Sequence, residues 1–401
     1  MRDPAVIPTR RTCPFDPPGE YARLREQDPV SRVEFQVTPN GMTGWLVTRH
    51  DDVRAVLADP RFSRRNELLA HVLAPTFPID SYDPPAAEPG AFNKMDAPEH
   101  TRYRKMLAGY FSVRRTRELE PLIEKVAADC LDAMAATGSP ADLLAEYAEP
   151  LPSRVMCEMI GVPEADRRSI LHHFSVIFRL TYTVAELIDS VGVVTELFTS
   201  LVRRKLAEGG EDILGVLASS GEMSEQELVN IAWVLIGGAF DTTTNMLALG
   251  TFALLENPDQ AALLRKQPEL MDNAIEELLR YLTISHLGAS RCAIEDVTVN
   301  GTAIEAGQTV VVSLPAANRD PAKYDAPDRL DLARSARGHV AFGYGPHQCI
   351  GQHHARIVLK VGFRALLDRF PDLRLAVPAG AIETSEDVQH YGVRALPVAW
   401  N

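Results

Sequence analysis

Cys349 stands in "GHVAFGYGPHQCIGQHHAR", residues 338–356, inside a run of glycines and directly ahead of a helical pattern. Several kinds of chemistry use a thiol. A nucleophile wants a base in reach; His347 is two residues away, but neighbours in sequence do not make the geometry of a Cys–His pair. A zinc site wants partner ligands, and His347, His353 and His354 fall at no zinc spacing. A buried structural cysteine stays open, since free thiols are commonly buried, yet it has no need of Gly343, Gly345 and Gly351 around it. A thiolate ligand at a helix N-terminus uses the whole arrangement. Backbone N–H groups and the helix dipole stabilise the negative sulfur. The glycines let the loop approach a flat ligand, and Phe342 would pack beside the sulfur and shield it.

Composition narrows the setting. The chain has 401 residues, 46% hydrophobic and 24% charged, as in ordinary globular proteins. A net charge of −13 argues against general nucleic-acid binding. The five cysteines are scattered with no C-x-x-C pair, against a zinc ribbon or a thioredoxin-type site. The N-terminus lacks the apolar core of a signal peptide. The longest apolar run, "IAWVLIGGAF", is too short to cross a bilayer. A cytoplasmic protein with reduced thiols and no membrane association is expected.

The elements that must position Cys349 form a mainly α body with a small β lobe. From 97 to 282 the apolar spacing predicts helix after helix. "SRVEFQV" and "GWLVTR" predict strands near the N-terminus. "CAIEDVTVNGTAIEAGQTVVVSLPAA" predicts more, with Asn300-Gly301 as a hairpin turn. A helix over roughly 350–369 follows Cys349, and "LRLAV" and "ALPVAW" predict short final strands. One helix stands out. Ser224 and Glu227 make a capping box, and the pattern runs to Asn257-Pro258. Its length is roughly 48 Å, enough to cross the domain. In its middle, "LIGGAFDTTTN" places Gly237, Gly238, Asp241, Thr242 and Thr243, residues that cost stability in a buried helix and so mark function.

"FGYGPHQCIG" resembles the haem-binding loop F-G-x-G-x-H-x-C-x-G of the cytochrome P-450 superfamily, with Phe342, Gly343, Gly345, His347, Cys349 and Gly351 at the six specified positions. "EELLR" is similar to the family's E-x-x-R pair as Glu277 and Arg280, one turn apart on one face. "APDRLD" resembles the P-x-R-F segment with Leu330 in place of Phe, which makes Arg329 the expected third member of a Glu–Arg–Arg cluster. "DAPEHTRYR" looks like the H-x-x-x-R helix, with His100 and Arg104 facing one haem propionate. Arg291 resembles the family's other propionate-binding arginine, and His347 is expected to serve the same end by neutralising a carboxylate. The resemblance covers nearly the whole chain, implies one domain over 1–401, and is nearest to soluble bacterial members that act on secondary metabolites or xenobiotics.

The resemblance implies a cytochrome P-450 fold with a long central helix over haem b, iron protoporphyrin IX, and Cys349 as the axial thiolate. Thiolate pushes electron density towards iron and favours O–O cleavage. On the distal side, Thr242 shares a helix face with Gly238 and Ala239. In the family this threonine holds oxygen and its water while the preceding acid, here Asp241, relays protons. The family's usual order at this point is Ala/Gly-Gly-x-Asp/Glu-Thr; here Ala239 takes the place of the second glycine, which puts the distal geometry and the coupling of oxygen to product in question. Phe240 is expected to pack against a neighbouring helix.

Electrons must come from outside, because the chain has no G-x-G-x-x-G and no P-loop for flavin or nicotinamide. Arg102, Lys105, Arg114, Arg115, Arg117, Arg356 and Lys360 gather on thiolate-side elements, where they would attract an acidic ferredoxin fed by an NAD(P)H-dependent reductase, or serve only as solvated helix faces. A monomer is expected. Substrate contacts are expected from Leu235 and Ala239 on the distal wall and from Ile284 and Leu287 beside the haem. "HHFSVIFRLTYTVAEL" is placed near the pocket roof, and the proline-rich segment 63–92 is read as a pocket-covering loop. Hydroxyls would come from Thr283 and Ser285. These linings suit a hydrophobic molecule such as a polyketide, macrolide or terpenoid, hydroxylated or epoxidised. Phenol coupling, desaturation or peroxide-dependent oxidation on the same haem is the alternative, and a non-catalytic haem sensor or carrier is the reading of a different class.

Overall fold

The helix Glu225–Glu256 organises the molecule. In the computed structural model, which describes residues 5–35, 42–70, 84–178, 182–385 and 389–401, it is unbroken over its whole length. Its capping box forms as the sequence predicts. The Ser224 side chain accepts from Glu227 N at 3.2 Å, and the Glu227 carboxylate accepts from Ser224 N at 2.8 Å. Pro258 begins the next helix. The C-terminal half is buried almost all round, as expected for a helix at the centre of a core.

Two close approaches fix the central helix among its neighbours. A Cβ on Gly250 would overlap the ring of Phe363, so glycine lets the cysteine helix, Gln352–Arg369, cross at short range. A Cβ on Gly392 would overlap Asn245, so the C-terminal hairpin of Thr384–Ser385 and Gly392–Val393 also reaches the central helix.

The two β patches of the sequence join in one six-stranded mixed sheet. Its spatial order is Ala5–Val6, Val30–Phe35, Met42–Val47, Thr309–Val312, Ala289–Ala293 and Phe62–Ser63. Strand Met42–Val47 runs parallel to Thr309–Val312, with Trp45 opposite Val310; strand Ala289–Ala293 runs antiparallel to it, with Arg291 opposite Val310. The hairpin at Asn300-Gly301 forms with φ of 46° and 81°, the left-handed pair a tight two-residue turn demands.

One expectation changes at this level. Glu277 and Arg280, on helix Met271–Leu282, are fully buried and bonded at 2.7 and 2.8 Å, but their third partner is Arg334 and not Arg329. Arg334 Nε meets Glu277 Oε1 at 3.1 Å. The Arg329 side chain is 72% exposed and pairs with Asp331 at the surface. The reason lies in the backbone: Asp331 N also donates to Glu277 Oε1, so the chain has already turned at 331 and delivers the next arginine inward. Of the pocket-covering loop read over 63–92, residues 71–83 lie outside the described part of the structure.

Candidate active site

The cysteine loop is built from short backbone hydrogen bonds. Gly343 N donates to Val340 O at 2.8 Å, and Cys349 N donates to Phe342 O at 2.9 Å. Gly343 and Gly345 take φ of 70° and 73°, and a Cβ on Gly345 would press into the Leu57 carbonyl. The tightest loop glycine therefore answers to the protein behind it. The guanidinium of Arg356 lies over the ring of Phe342, 4.6 Å from its centroid.

Cys349 is surrounded by protein, yet its surface is open towards an internal cavity of about 390 Å³. Burial pushes its thiol up; the Gly351 N–H, Arg104 and Arg356 oppose that shift, which is the environment a thiolate needs once a metal is present to hold it. The cavity is bounded on the other side by the central helix, through Leu235, Gly238, Ala239 and Thr242. Cysteine loop and central helix thus face each other across the cavity.

At one edge of the cavity, basic side chains gather with little acid among the described residues to balance them. His100 and His347 stack with ring centroids 4.0 Å apart. Burial and the charges of His347 and Arg104 lower His100 to about 4. Burial and the charge of Arg64 lower Arg291, on its strand, to about 9. Burial also lowers Arg104. Neither Arg104 nor Arg291 has an ion pair with a carboxylate among the described residues; Arg291 Nη1 is left with its neighbour's carbonyl, Ser290 O, at 2.8 Å. Among the described residues the one acid here is Asp96. Burial would raise it, but hydrogen bonds from His347, Ser63 and the Arg64 backbone hold it at about 2.

These residues fit the haem that the sequence implies. The cavity is flanked by an open sulfur and a helix, and its edge carries two arginines without carboxylate partners among the described residues and two histidines, a donor set suited to two carboxylates. His100, Arg104, Arg291 and His347 would take the propionates, and Cys349 would take the iron.

On the distal side, Thr242 Oγ1 donates to Gly238 O at 2.8 Å. A Cβ on Gly238 would meet nothing within 4 Å, whereas one on Gly237 would sit 3.1 Å from Phe174. Gly237 therefore accommodates a neighbouring helix, and Gly238 supplies open space beside Ala239. Phe240 is buried, its ring centroid 6.4 Å from that of Phe174, a packing position as expected. Asp241 is not on the cavity wall. Its Oδ1 accepts from Asn245 Nδ2 at 2.8 Å, and its Oδ2 faces His390 Nδ1 at 2.7 Å.

The substrate-side expectations divide. Leu235, Ala239, Ile284 and Ser285 line the cavity. Leu287 does not; it falls in the turn before Gly288, whose φ is 71°, and Ala289 on the following strand lines the wall instead. The Thr283 hydroxyl is used up by the fold, donating towards Arg280 O at 2.8 Å and accepting from Asn318 at 2.8 Å. None of the described residues of 172–187 lines the cavity, although Phe178 comes within 6.4 Å of the His390 ring.

Sequence reasoning missed Asp96, Arg334, His354 and His390. His354 lines the cavity, and its buried Nδ1 has no hydrogen-bond partner among the described residues; it stands five residues after Cys349, in the motif's own helix. His390 carried no sequence signal, because nothing near it repeats a pattern.

Known proteins resemble the chain over nearly its whole length. The Cytochrome P450 family model matches residues 212–386, which hold the central helix, the Glu277 cluster and the cysteine loop. The chain is 42% identical to Cytochrome P450 105C1 of Streptomyces sp over 99% of both chains. It is 40% identical to pentalenic acid synthase of Streptomyces avermitilis, over 99% of this chain and 98% of that one. It is 37% identical to 20-oxo-5-O-mycaminosyltylactone 23-monooxygenase of Streptomyces fradiae, over 98% of this chain and 92% of that one. The fold superposes on the crystal structure of CYP105P1 in complex with filipin I with a TM-score of 0.92 at 39% identity, covering 100% of this chain and 99% of that one. The chain belongs to the cytochrome P450 family and is an oxidoreductase of its monooxygenase class.

Proposed function

We propose that this chain inserts one oxygen atom from O₂ into a hydrophobic small molecule of the polyketide, macrolide or terpenoid kind, by hydroxylation or epoxidation. The second oxygen atom leaves as water, with two electrons and two protons consumed. One observation carries the reading: the open Cys349 sulfur faces Gly238, Ala239 and Thr242 across a cavity whose edge gathers His100, Arg104 and His347. Haem, when bound, supplies the oxygen chemistry. The chain supplies the rest. Cys349 ligates; His100, Arg104, Arg291 and His347 hold and neutralise the propionates; Phe342, Gly343 and Gly351 shape the sulfur's surroundings. Thr242 presents a hydroxyl to the cavity, and Asp241 behind it handles protons. Glu277, Arg280 and Arg334 brace the helix and loop beneath.

The substrate class rests on the lining and on the relatives. Leu235, Ala239 and Ile284 are apolar, and one relative is named a pentalenic acid synthase while another is named for a tylactone glycoside.

Electrons would come from a ferredoxin fed by an NAD(P)H-dependent reductase. Lys105 and Arg117 are exposed and have no ion pair among the described residues, and Arg117 lies on helix Val113–Glu118, which packs against the cysteine helix. Arg102, Arg115, Arg356 and Lys360 are already paired, with Glu227, Glu118, Glu276 and Asp272, so they offer a partner less.

The test is turnover of a terpenoid and macrolide panel under ¹⁸O₂. One ¹⁸O atom per product molecule supports the proposal; products formed without label overturn it.

A further inference from the structure

His390 is a titratable side chain on the cavity wall to which the reaction as described gives no role. It stands in the C-terminal hairpin, 149 residues from Asp241 in sequence, yet its Nδ1 lies 2.7 Å from Asp241 Oδ2. A carboxylate only accepts, so the contact assigns the ring proton to Nδ1 and turns the Nε2 edge outward.

The fold places His390 deliberately. Ser285 and His390 pair in an antiparallel bridge, and Tyr391 N donates to Ile284 O at 2.8 Å. Asn245 Nδ2 reaches His390 O at 3.4 Å while bonding Asp241 Oδ1, and Gly392 lacks the Cβ that would collide with Asn245. Helix, loop and hairpin are thereby locked around one carboxylate.

Asp241 needs that lock. It precedes Thr242 on the helix, so its side chain is turned about 100° away from the cavity face. Its side chain is 18% exposed, and a carboxylate with one free oxygen there would swing towards water. Asn245, on the same helix, fixes only Oδ1.

We propose that His390 is a positioning residue for Asp241: its Nδ1–H holds the carboxylate beside Thr242 in the orientation from which protons are handled. This rests on the reading of Asp241 as the proton-handling acid.

The first test needs no turnover. In the ferrous carbon monoxide complex of the holoenzyme, with ¹⁵N-histidine label and the His390 signal assigned by its loss in His390→Asn, Nδ1 should carry the proton in the wild type. In Asp241→Asn that preference should be lost. An Nε2–H tautomer in the wild type overturns the proposal.

The second test reads oxygen uptake in H₂O and D₂O, driven by a plant-type ferredoxin, its reductase and NADPH. His390→Leu should slow uptake about tenfold, equivalent to about 1.4 kcal/mol in the barrier, and enlarge the solvent isotope effect. Asparagine carries an N–H near the position of Nδ1, so His390→Asn should recover most of the rate. The double variant His390→Leu/Asp241→Asn should be no slower than Asp241→Asn alone. Wild-type rates in His390→Leu alongside a slow Asp241→Asn would overturn the role of His390 and leave the role of Asp241 standing. Wild-type rates in Asp241→Asn would overturn both.

Discussion

Arg334 Nε lies 3.1 Å from Oε1 of Glu277, a carboxylate with no exposed surface that also takes two bonds from Arg280. Removing Arg334 leaves Glu277 paired with Arg280 but takes away one charge-assisted bond from its buried Oε1, which costs about 1.5–3 kcal/mol. Arg334→Ala should therefore lower the urea midpoint strongly and reduce haem retention. Arg329→Ala, at the surface, should change stability by no more than about 0.5 kcal/mol. Equal effects of the two substitutions would contradict the assignment of Arg334.

Acid should loosen the link between the Glu277 helix and the cysteine helix. Burial alone would raise Glu276, but bonds from His339 and Arg356 bring it down to about 2. A carboxyl depressed in the folded state contributes stability that is complete above its unfolded value and lost as pH falls through the folded one. The wild type should then be more stable than Glu276→Gln at neutral pH. The gap should close between about pH 4.5 and pH 2. Urea unfolding across that range reads it directly.

The two adjacent glycines of the central helix should behave oppositely. Gly238→Ala places a methyl in open cavity space and gains about 1 kcal/mol of helix propensity. It should keep or raise the melting temperature while weakening the spectral titration by 4-phenylimidazole. Gly237→Ala places its methyl 3.1 Å from Phe174 and should lower the melting temperature, with weaker effect on that titration.

Thr242→Ala removes the hydroxyl that caps Gly238 O and faces the cavity. Haem content and the carbon monoxide spectrum should be unchanged, while the ratio of product to oxygen consumed falls and peroxide rises. Unchanged product yield would remove Thr242 from the oxygen chemistry.

What the sequence made legible was local. Ser224, Glu227 and Pro258 mark both ends of the central helix by chemistry within a few residues, and Asn300-Gly301 marks its turn in the same way. The cysteine loop is a contiguous motif. The structure departs from expectation where position depends on distant partners. Arg329 and Arg334 lie in an irregular segment with no period to say which points inward, and the Asp331 N–H bond to Glu277 decides it. Leu287 and Ala289 differ only by the side of Gly288's left-handed turn on which they fall. His390 reaches Asp241 because a short hairpin pairs with Ser285 and slips past Asn245 at a glycine, a coincidence of three remote segments.

The most direct measurement concerns the sulfur itself. The purified holoenzyme is reduced with dithionite, exposed to carbon monoxide, and its Soret band recorded. Ligation by the Cys349 thiolate predicts a strongly red-shifted band that disappears in Cys349→His. A wild-type band at the position of an imidazole-ligated haem, or well-folded protein that takes up no haem, would contradict it.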